Sequence, residues 1–101
     1  MTGKTIDDLR RRIDELDRKL VELLNERANC AVEIGRLKRA NGLPIYQPER
    51  EQEILESAER VNRGPLDDMA IRRLFERILD EARSLERIER HDGTPGKKEV
   101  V

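Results

Sequence analysis

The sequence predicts an all-α protein of three helices, one long and two shorter. Apolar residues recur at steps of three and four through three segments, which is the spacing of one helix face. Turn-forming residues at 41–48 and 62–65 separate the segments. No segment alternates apolar and polar residues as a half-buried strand does, and no internal repeat is present.

The first helix is predicted from Ile6 to Asn41. Thr5 can cap its N-terminus, and Gly42 followed by Pro44 is typical of a helix C-terminus. Its apolar seam consists of Ile6, Leu9, Ile13, Leu16, Leu20 and Leu23. Such a helix is about 54 Å long, whereas a compact domain of this size has a radius of gyration of about 13 Å. The other two helices are too short to cover it, so we expect an antiparallel homodimer.

Two cations lie where the seam of the first helix continues. The next seam position after Leu23 is Arg27, and Lys38 lies on the same face with the small Ala31 between them. For Arg27 alone, a salt-bridged or snorkelling side chain is the simpler interpretation, because buried charge needs a partner. Two cations around a shallow gap favour the binding of a small dianion.

The second helix is predicted from Pro48 to about Val61, since proline suits the first helical turn. Its apolar face consists of Ile54, Leu55, Ala58 and Val61. Arg50 and Glu51 lie one turn before this face. Each has a simple interpretation as a solvated residue at the start of a helix.

The third helix is predicted to begin after a cap at Asp67 or Asp68 and to end near Arg90. Its apolar residues are Ile71, Leu74, Phe75, Ile78, Leu79, Ala82, Leu85 and Ile88. Glu86 continues one stripe of this face where an apolar residue is expected. A surface ion pair with Arg83 or Arg90 is the simple interpretation of Glu86.

Composition narrows the function classes. The 21 basic and 22 acidic residues leave a net charge of -1, and there are one Tyr, one Phe and no Trp. This lacks the basic footprint and the aromatic platforms of nucleic-acid binding. No apolar stretch suits a signal peptide or a membrane span, so we expect a cytoplasmic protein with no membrane partner. Cys30, within the seam, is expected to be a small buried hydrophobe in a reducing compartment.

Cofactor chemistry has no signature in the sequence. Metal-ligand spacing, a glycine-rich phosphate loop and a nucleophile with its base are all absent. We therefore predict no metal and no cofactor, and an enzyme of this sequence would act through positioning and charge. Residues 1–4 and 91–101 have no periodicity and are predicted to be disordered.

The out-of-pattern charges lie within longer runs that match a known family. These runs are Leu9-Arg10, Ile13, Leu16-Asp17, Leu23-Leu24, Glu26-Arg27, Val32-Glu33-Ile34-Gly35, Lys38, Pro44-Ile45-Tyr46-Gln47-Pro48-Glu49-Arg50-Glu51 and Asn62-Arg63-Gly64-Pro65-Leu66. With them the sequence resembles the all-helical class of chorismate mutases, over a helical domain of residues 5–90. It is also similar to the mutase domain that many bacteria fuse to prephenate dehydratase. The resemblance leaves open whether the chain acts alone or within a longer enzyme.

The resemblance implies an intertwined homodimer with two sites that convert chorismate to prephenate in the biosynthesis of phenylalanine and tyrosine. Arg27 would hold one substrate carboxylate, and Arg10 of the other protomer would hold the second. Lys38 and Glu86 would bind the ether oxygen of the breaking bond.

Four further positions carry implied roles. Glu51 and the backbone of Gln47 would take the ring hydroxyl, and Arg50 would support the charge balance of the pocket. Ala82 replaces a serine that contacts a carboxylate in some members, a contact that alanine cannot make.

Two alternatives remain open. An isochorismate pyruvate lyase shares these helices and most of these cations, although an acid at position 86 favours the mutase. A non-catalytic helical dimerisation module could use seam charges to set its register. Such a module has no need for cations on three separate elements.

Overall fold

The computed structural model describes the backbone of residues 3–92 and the side chains of residues 3–87. Within this part the chain has three α-helices and no strand: α1 is Ile6–Ala40, α2 is Pro48–Val61 and α3 is Asp68–Asp92. The predicted all-α class is therefore confirmed. No helix of the described residues combines the length and the apolar character that crossing a membrane requires.

The helix bounds differ slightly from the predicted ones. α1 ends one residue earlier than predicted, and α3 continues through His91 and Asp92, which were predicted to belong to the disordered tail. The rest of that tail, residues 93–101, lies outside the described residues, as do residues 1 and 2 of the predicted disordered N-terminus. The chain divides into two compact units, residues 1–30 and 31–101, and α1 contributes to both.

The first unit begins with a reciprocal cap at the start of α1. The backbone N–H of Asp8 donates to Thr5 Oγ1 at 3.0 Å, and the backbone N–H of Thr5 donates to Asp8 Oδ2 at 3.1 Å. Two otherwise unpaired donors are thereby satisfied, as in a capping box. The donation from the Thr5 backbone also holds the pKa of the Asp8 carboxyl below its usual range. The predicted cap at Thr5 is confirmed.

The apolar seam of the first unit is exposed in the single chain. Its six residues, from Ile6 to Leu23, are 40% to 67% exposed. Cys30 is also exposed, so the expectation that this thiol is buried is wrong for the single chain. The physical reason is that one helix cannot cover its own apolar face.

The second unit begins with the end of α1. Gly42 has a φ of +69°, which a residue without Cβ adopts at little cost. The N–H of Leu43 donates to the carbonyl of Lys38 at 2.8 Å, and that of Gly42 donates to Arg39 at 3.3 Å. This is a Schellman motif, and it confirms the predicted C-terminal signal. α2 then begins at Pro48 with Gln47 as its N-cap residue.

Asn62 organises the turn between α2 and α3. Its side-chain amide donates to the carbonyl of Leu66 at 2.8 Å and its Oδ1 accepts the N–H of Gly64 at 3.1 Å. Asp67 Oδ1 then accepts the N–H of Ala70 at 2.8 Å, so Asp67 is the cap of α3. This short turn joins α2 to α3, and the two helices pack against each other.

A small core and two ion pairs join these helices. Among residues 3–87 the buried apolar residues are Ala31 on α1, Leu55 and Ala58 on α2 and Leu79 on α3. Arg72 on α3 lies 3.0 Å from Glu59 on α2, and Arg83 lies 2.9 Å from Glu51. Few of the large side chains that the structure describes are buried, in keeping with an apolar share of only 36%.

Candidate functional site

Lys38 and Glu86 form a little-exposed pair in the second unit. Lys38 Nζ, in the last turn of α1, lies 3.5 Å from Glu86 Oε1 on α3, and the two side chains are 13% and 9% exposed. Lys38 Nζ also donates to the carbonyl oxygen of Ile45 at 2.8 Å. The carbonyl lies in the connector after the Schellman motif, so the local turn and a distant helix together orient the ammonium group.

The interpretation of Glu86 as a surface residue paired with Arg83 is wrong. Glu86 is buried against Lys38, whereas Arg83 is paired with Glu51 and with Asp80. The helical spacing of three residues permitted a Glu86–Arg83 pair, but the packing of α3 turns Glu86 toward α1 and Arg83 toward α2.

Burial is the main reason that the pKa of Glu86 is raised, and the negative charge of Glu51 adds to the rise. Lys38 opposes the rise without cancelling it.

Gly35 allows α1 to approach Glu86 closely. A Cβ added to this buried glycine would lie 3.2 Å from Glu86 Cγ and 3.4 Å from Glu86 Cβ. The first separation is tighter than an ordinary van der Waals contact. The prediction assigned no role to Gly35, although a glycine inside a helix is costly and therefore signals a close approach.

Glu51 is held by Arg83 on the α2 side of the unit. Glu51 Oε2 lies 2.9 Å from Arg83 Nε, without the alignment of a hydrogen bond. The guanidinium carbon of Arg83 is 5.4 Å from the centre of the Tyr46 ring, within the range of a cation–π contact. Arg83 was not predicted as a site residue. Its position one turn before Glu86 was the only signal in the sequence.

The other predicted residues of the second unit have different surroundings. Gln47 is half-buried as the N-cap residue of α2, and its side chain makes no capping hydrogen bond. Arg50 is exposed and lies 3.3 Å from the exposed Glu53, as expected of a solvated residue at a helix start. Ala82 is half-buried on α3. The structure therefore brings Lys38 and Glu86 into direct contact and leaves Arg50 on the surface of the single chain.

Arg10 and Arg27 belong to the first unit. The side chain of Arg10 is exposed, with Asp7 at 4.0 Å, and Arg27 is half-buried. The two arginines are separated by about 25 Å along the helix axis, at 1.5 Å per residue. One small molecule cannot contact both arginines of the same chain.

The Lys38–Glu86 pair can present two donors to one oxygen atom. An ammonium group has three N–H donors, of which the Ile45 carbonyl and Glu86 take two. A carboxyl group with a raised pKa becomes a donor when it holds its proton. Donors fixed in a little-exposed position stabilise an oxygen on which negative charge develops during a reaction.

Comparisons of the chain with a family model and with known proteins agree with each other. The family model described as "Chorismate mutase type II" matches residues 9–87. The bifunctional chorismate mutase/prephenate dehydratase of Pseudomonas aeruginosa is 42% identical over 83 residues, which are 77% of this chain and 23% of that protein. The enzyme of the same name from Neisseria gonorrhoeae is 41% identical over 89 residues, or 84% of this chain and 24% of that protein. The chain thus spans about a quarter of the length of these curated relatives.

A solved structure of similar length also matches. The chorismate mutase (form II) of Thermus thermophilus superimposes with a TM-score of 0.81 at 40% identity, and the match covers 83% of this chain and 96% of that one.

Proposed function

The chain belongs to the type II chorismate mutase family, and from this membership we propose that it rearranges chorismate to prephenate, a step in the biosynthesis of phenylalanine and tyrosine. The similarity to a chorismate mutase of which the match covers 96% supports this isomerase activity. The cytoplasmic location predicted from the sequence is part of the proposal.

The observation that carries the proposal is the little-exposed pair of Lys38 and Glu86. The rearrangement is intramolecular, so the site has to select the compact conformer of the substrate and stabilise negative charge on the ether oxygen. The third N–H of Lys38 is available for that oxygen, and a protonated Glu86 supplies a second donor. No general base is required.

The remaining residues bind the rest of the substrate in this proposal. Arg27 holds one carboxylate and Arg10 of the second protomer holds the other, each through the planar fork of its guanidinium group. Glu51 and the backbone of Gln47 bind the ring hydroxyl of the substrate, while Arg50 contributes to the charge balance of the pocket. Ala82 lines the site without a polar contact.

The homodimer is a necessary part of the same proposal. The exposed apolar seam of α1 supports it, because an unpartnered apolar face of this length favours association. Antiparallel pairing about residue 23 would bring Arg10 of one chain level with about residue 35 of the other. We expect sedimentation equilibrium to give the mass of two chains. A stable folded monomer at micromolar concentration would contradict the homodimer.

An assay with two substrates tests the activity. We expect the protein to consume chorismate, followed by its absorbance, and to leave isochorismate unchanged. Release of pyruvate from isochorismate would instead indicate the lyase, and no reaction with either compound would indicate a non-catalytic dimerisation module.

A matched pair of lysine variants connects the activity with the site. Lys38→Ala should lower kcat by about a hundredfold to a thousandfold, the usual effect of removing a donor to developing charge. Lys4→Ala removes an exposed lysine that precedes α1 and should leave kcat unchanged. Equal rates for the two variants would exclude Lys38 from the chemistry.

A further inference from the structure

Arg83 makes three contacts beside the proposed site, although neither the sequence pattern nor the family resemblance gave it a role in the site. Its Nε lies 2.9 Å from Glu51 Oε2, its guanidinium group packs on the Tyr46 ring, and it also pairs with Asp80 on its own helix. The side chains of Arg83 and Glu51 are 25% and 21% exposed. The contact with Glu51 is an ion pair without the alignment of a hydrogen bond, and together the three contacts restrain the guanidinium group as they could not restrain the ammonium group of a lysine.

We propose that Arg83 is a positioning residue with two effects. It holds the Glu51 carboxylate in the orientation in which this carboxylate accepts a hydrogen bond from the substrate's ring hydroxyl. Its positive charge also compensates the negative charge of Glu51 beside Glu86. This inference rests on the proposed function, which assigns the ring hydroxyl to Glu51. The ion pair uses Oε2 of Glu51, so Oε1 is available for the hydroxyl. An unpaired glutamate would sample several rotamers, and binding the hydroxyl would then require ordering it.

The compensation of charge follows from the groups that surround Glu86. Lys38 approaches from α1, Glu51 acts from α2, and Arg83 lies one turn away on α3. The charge of Glu51 raises the pKa of Glu86, and that of Lys38 lowers it. Removing Arg83 would leave Glu51 uncompensated, so the pKa of Glu86 should rise further.

The chain offers a matched control for Arg83. Arg72 is also on α3, its Nη1 lies 3.0 Å from Glu59 on α2, and both side chains are 27% exposed. Arg83→Met and Arg72→Met therefore each remove one ion pair between the same two helices at similar burial. Only the first variant removes a partner of Glu51.

Kinetics on chorismate test the positioning of Glu51. Arg83→Met should raise KM about tenfold, the effect of one hydrogen bond, and change kcat much less. Arg72→Met should leave both constants unchanged. In a Glu51→Gln background, Arg83→Met should have little further effect on kcat/KM, because two residues that act through one interaction are not additive. Fully additive losses would overturn the proposal, since Arg83 would then act independently of Glu51.

Titration of the Glu86 carboxyl carbon by NMR, without substrate, tests whether Arg83 compensates the charge of Glu51. The pKa of Glu86 should rise in Arg83→Met and stay at the wild-type value in Arg72→Met. An unchanged or lowered pKa in Arg83→Met would overturn the compensation of charge. If the wild-type protein does not convert chorismate, the proposed function fails, and this titration still decides whether Arg83 acts on the Glu51–Glu86 pair.

Arg83→Lys covers the case in which Arg83→Met does not fold. Lysine keeps the charge and loses the fork, so KM should rise while the pKa of Glu86 stays close to the wild-type value. A wild-type KM in Arg83→Lys would show that Glu51 needs no fixed partner and would overturn the positioning role.

Discussion

Glu86 shows how the surroundings of one residue decide its chemistry. An ionised carboxylate can only accept hydrogen bonds, so beside an oxygen of developing negative charge it would be repulsive. The sequence places opposing influences around Glu86, burial on one side and cations on the other, without giving their balance. The structure gives a raised pKa, because the effect of burial exceeds that of the single adjacent ammonium group of Lys38.

We expect turnover to fall as pH rises through the pKa of Glu86 in the substrate complex. The protonated form is the donor, and the two negative charges of bound chorismate raise the pKa further, so activity is retained below that value and lost above it. The amide of Glu86→Gln donates at any ordinary pH, so this variant should have a flatter profile. Rates measured against pH for both proteins decide the matter. Identical profiles, or no loss of wild-type activity toward alkaline pH, would remove Glu86 from the chemistry.

The raised pKa of Glu86 also predicts how folding stability depends on pH. A carboxyl whose pKa is higher in the folded state stabilises that state fully below its ordinary pKa of 4.5. That contribution is lost as pH rises through the raised value. We expect Glu86→Gln to reduce the loss of stability over this range, measured by urea unfolding at several pH values. An unaltered dependence would contradict the burial of a titrating Glu86.

Gly35 gives a second prediction for a single residue. In a helix interior alanine is more stable than glycine by about 1 kcal/mol. A Cβ at position 35, however, would lie 3.2 Å from Glu86 Cγ. Overpacking of this kind costs about 1–3 kcal/mol. We expect Gly35→Ala to lower both stability and kcat, because Glu86 must shift. In a Glu86→Ala background the contact with Cγ is absent, so Gly35→Ala should become neutral or stabilising in urea unfolding. The same destabilisation in both backgrounds would place the clash elsewhere.

At the scale of the helices, the ends were predictable and the contacts between them were not. Thr5, Gly42 and Pro48 mark helix ends through their own backbone chemistry, which involves only neighbouring residues. The pair of Arg83 and Glu51 depends on how α2 packs against α3, which no local pattern encodes. For this reason the sequence identified Lys38 and Glu86 as unusual but missed the arginine that holds Glu51.

Gly42→Ala tests the end of α1 as a structural unit. A residue with a Cβ is strained at a φ of +69°, so we expect a loss of about 1 kcal/mol in the free energy of unfolding. Because Lys38 accepts from Leu43 within the same motif and donates to Ile45, activity should fall as well. Gly3→Ala is the control, since a Cβ at Gly3 meets no atom within 4 Å. Protein concentration is held constant, as association contributes to stability. Equal stability of both variants would contradict the role of the motif.

For the whole molecule, the exposed seam of α1 and the separation of Arg10 from Arg27 have one explanation in the proposed dimer. In that proposal the seam that is exposed in one chain would become the interface of two, and arginines too far apart within one helix would meet across it. Cys30 lies on the same helix and is exposed in the single chain, contrary to its predicted burial.

Exchange of chains tests this arrangement. Arg10→Ala and Arg27→Ala should each be nearly inactive, whereas unfolding and refolding them together should restore about a quarter of the wild-type sites, since half of the dimers are mixed and each has one complete site. Arg11→Ala, at the neighbouring exposed arginine, should remain active by itself. If mixed dimers form without recovery of activity, Arg10 serves its own chain's site or none.

The end of α1 also bears on the chemical ageing of the protein. Asn41-Gly42 is a sequence prone to deamidation, in which the glycine nitrogen attacks the asparagine side chain and ammonia leaves. In the folded chain that nitrogen donates to the carbonyl of Arg39, and the Asn41 amide group, the source of the ammonia, donates to the carbonyl of Leu37 at 2.8 Å. The hydrogen bonds that terminate the helix therefore also restrain both reacting groups. We expect mass spectrometry to show slower deamidation at Asn41 in the folded protein than in the urea-unfolded chain. The chemical stability of Asn41 then depends on the same turn that orients Lys38.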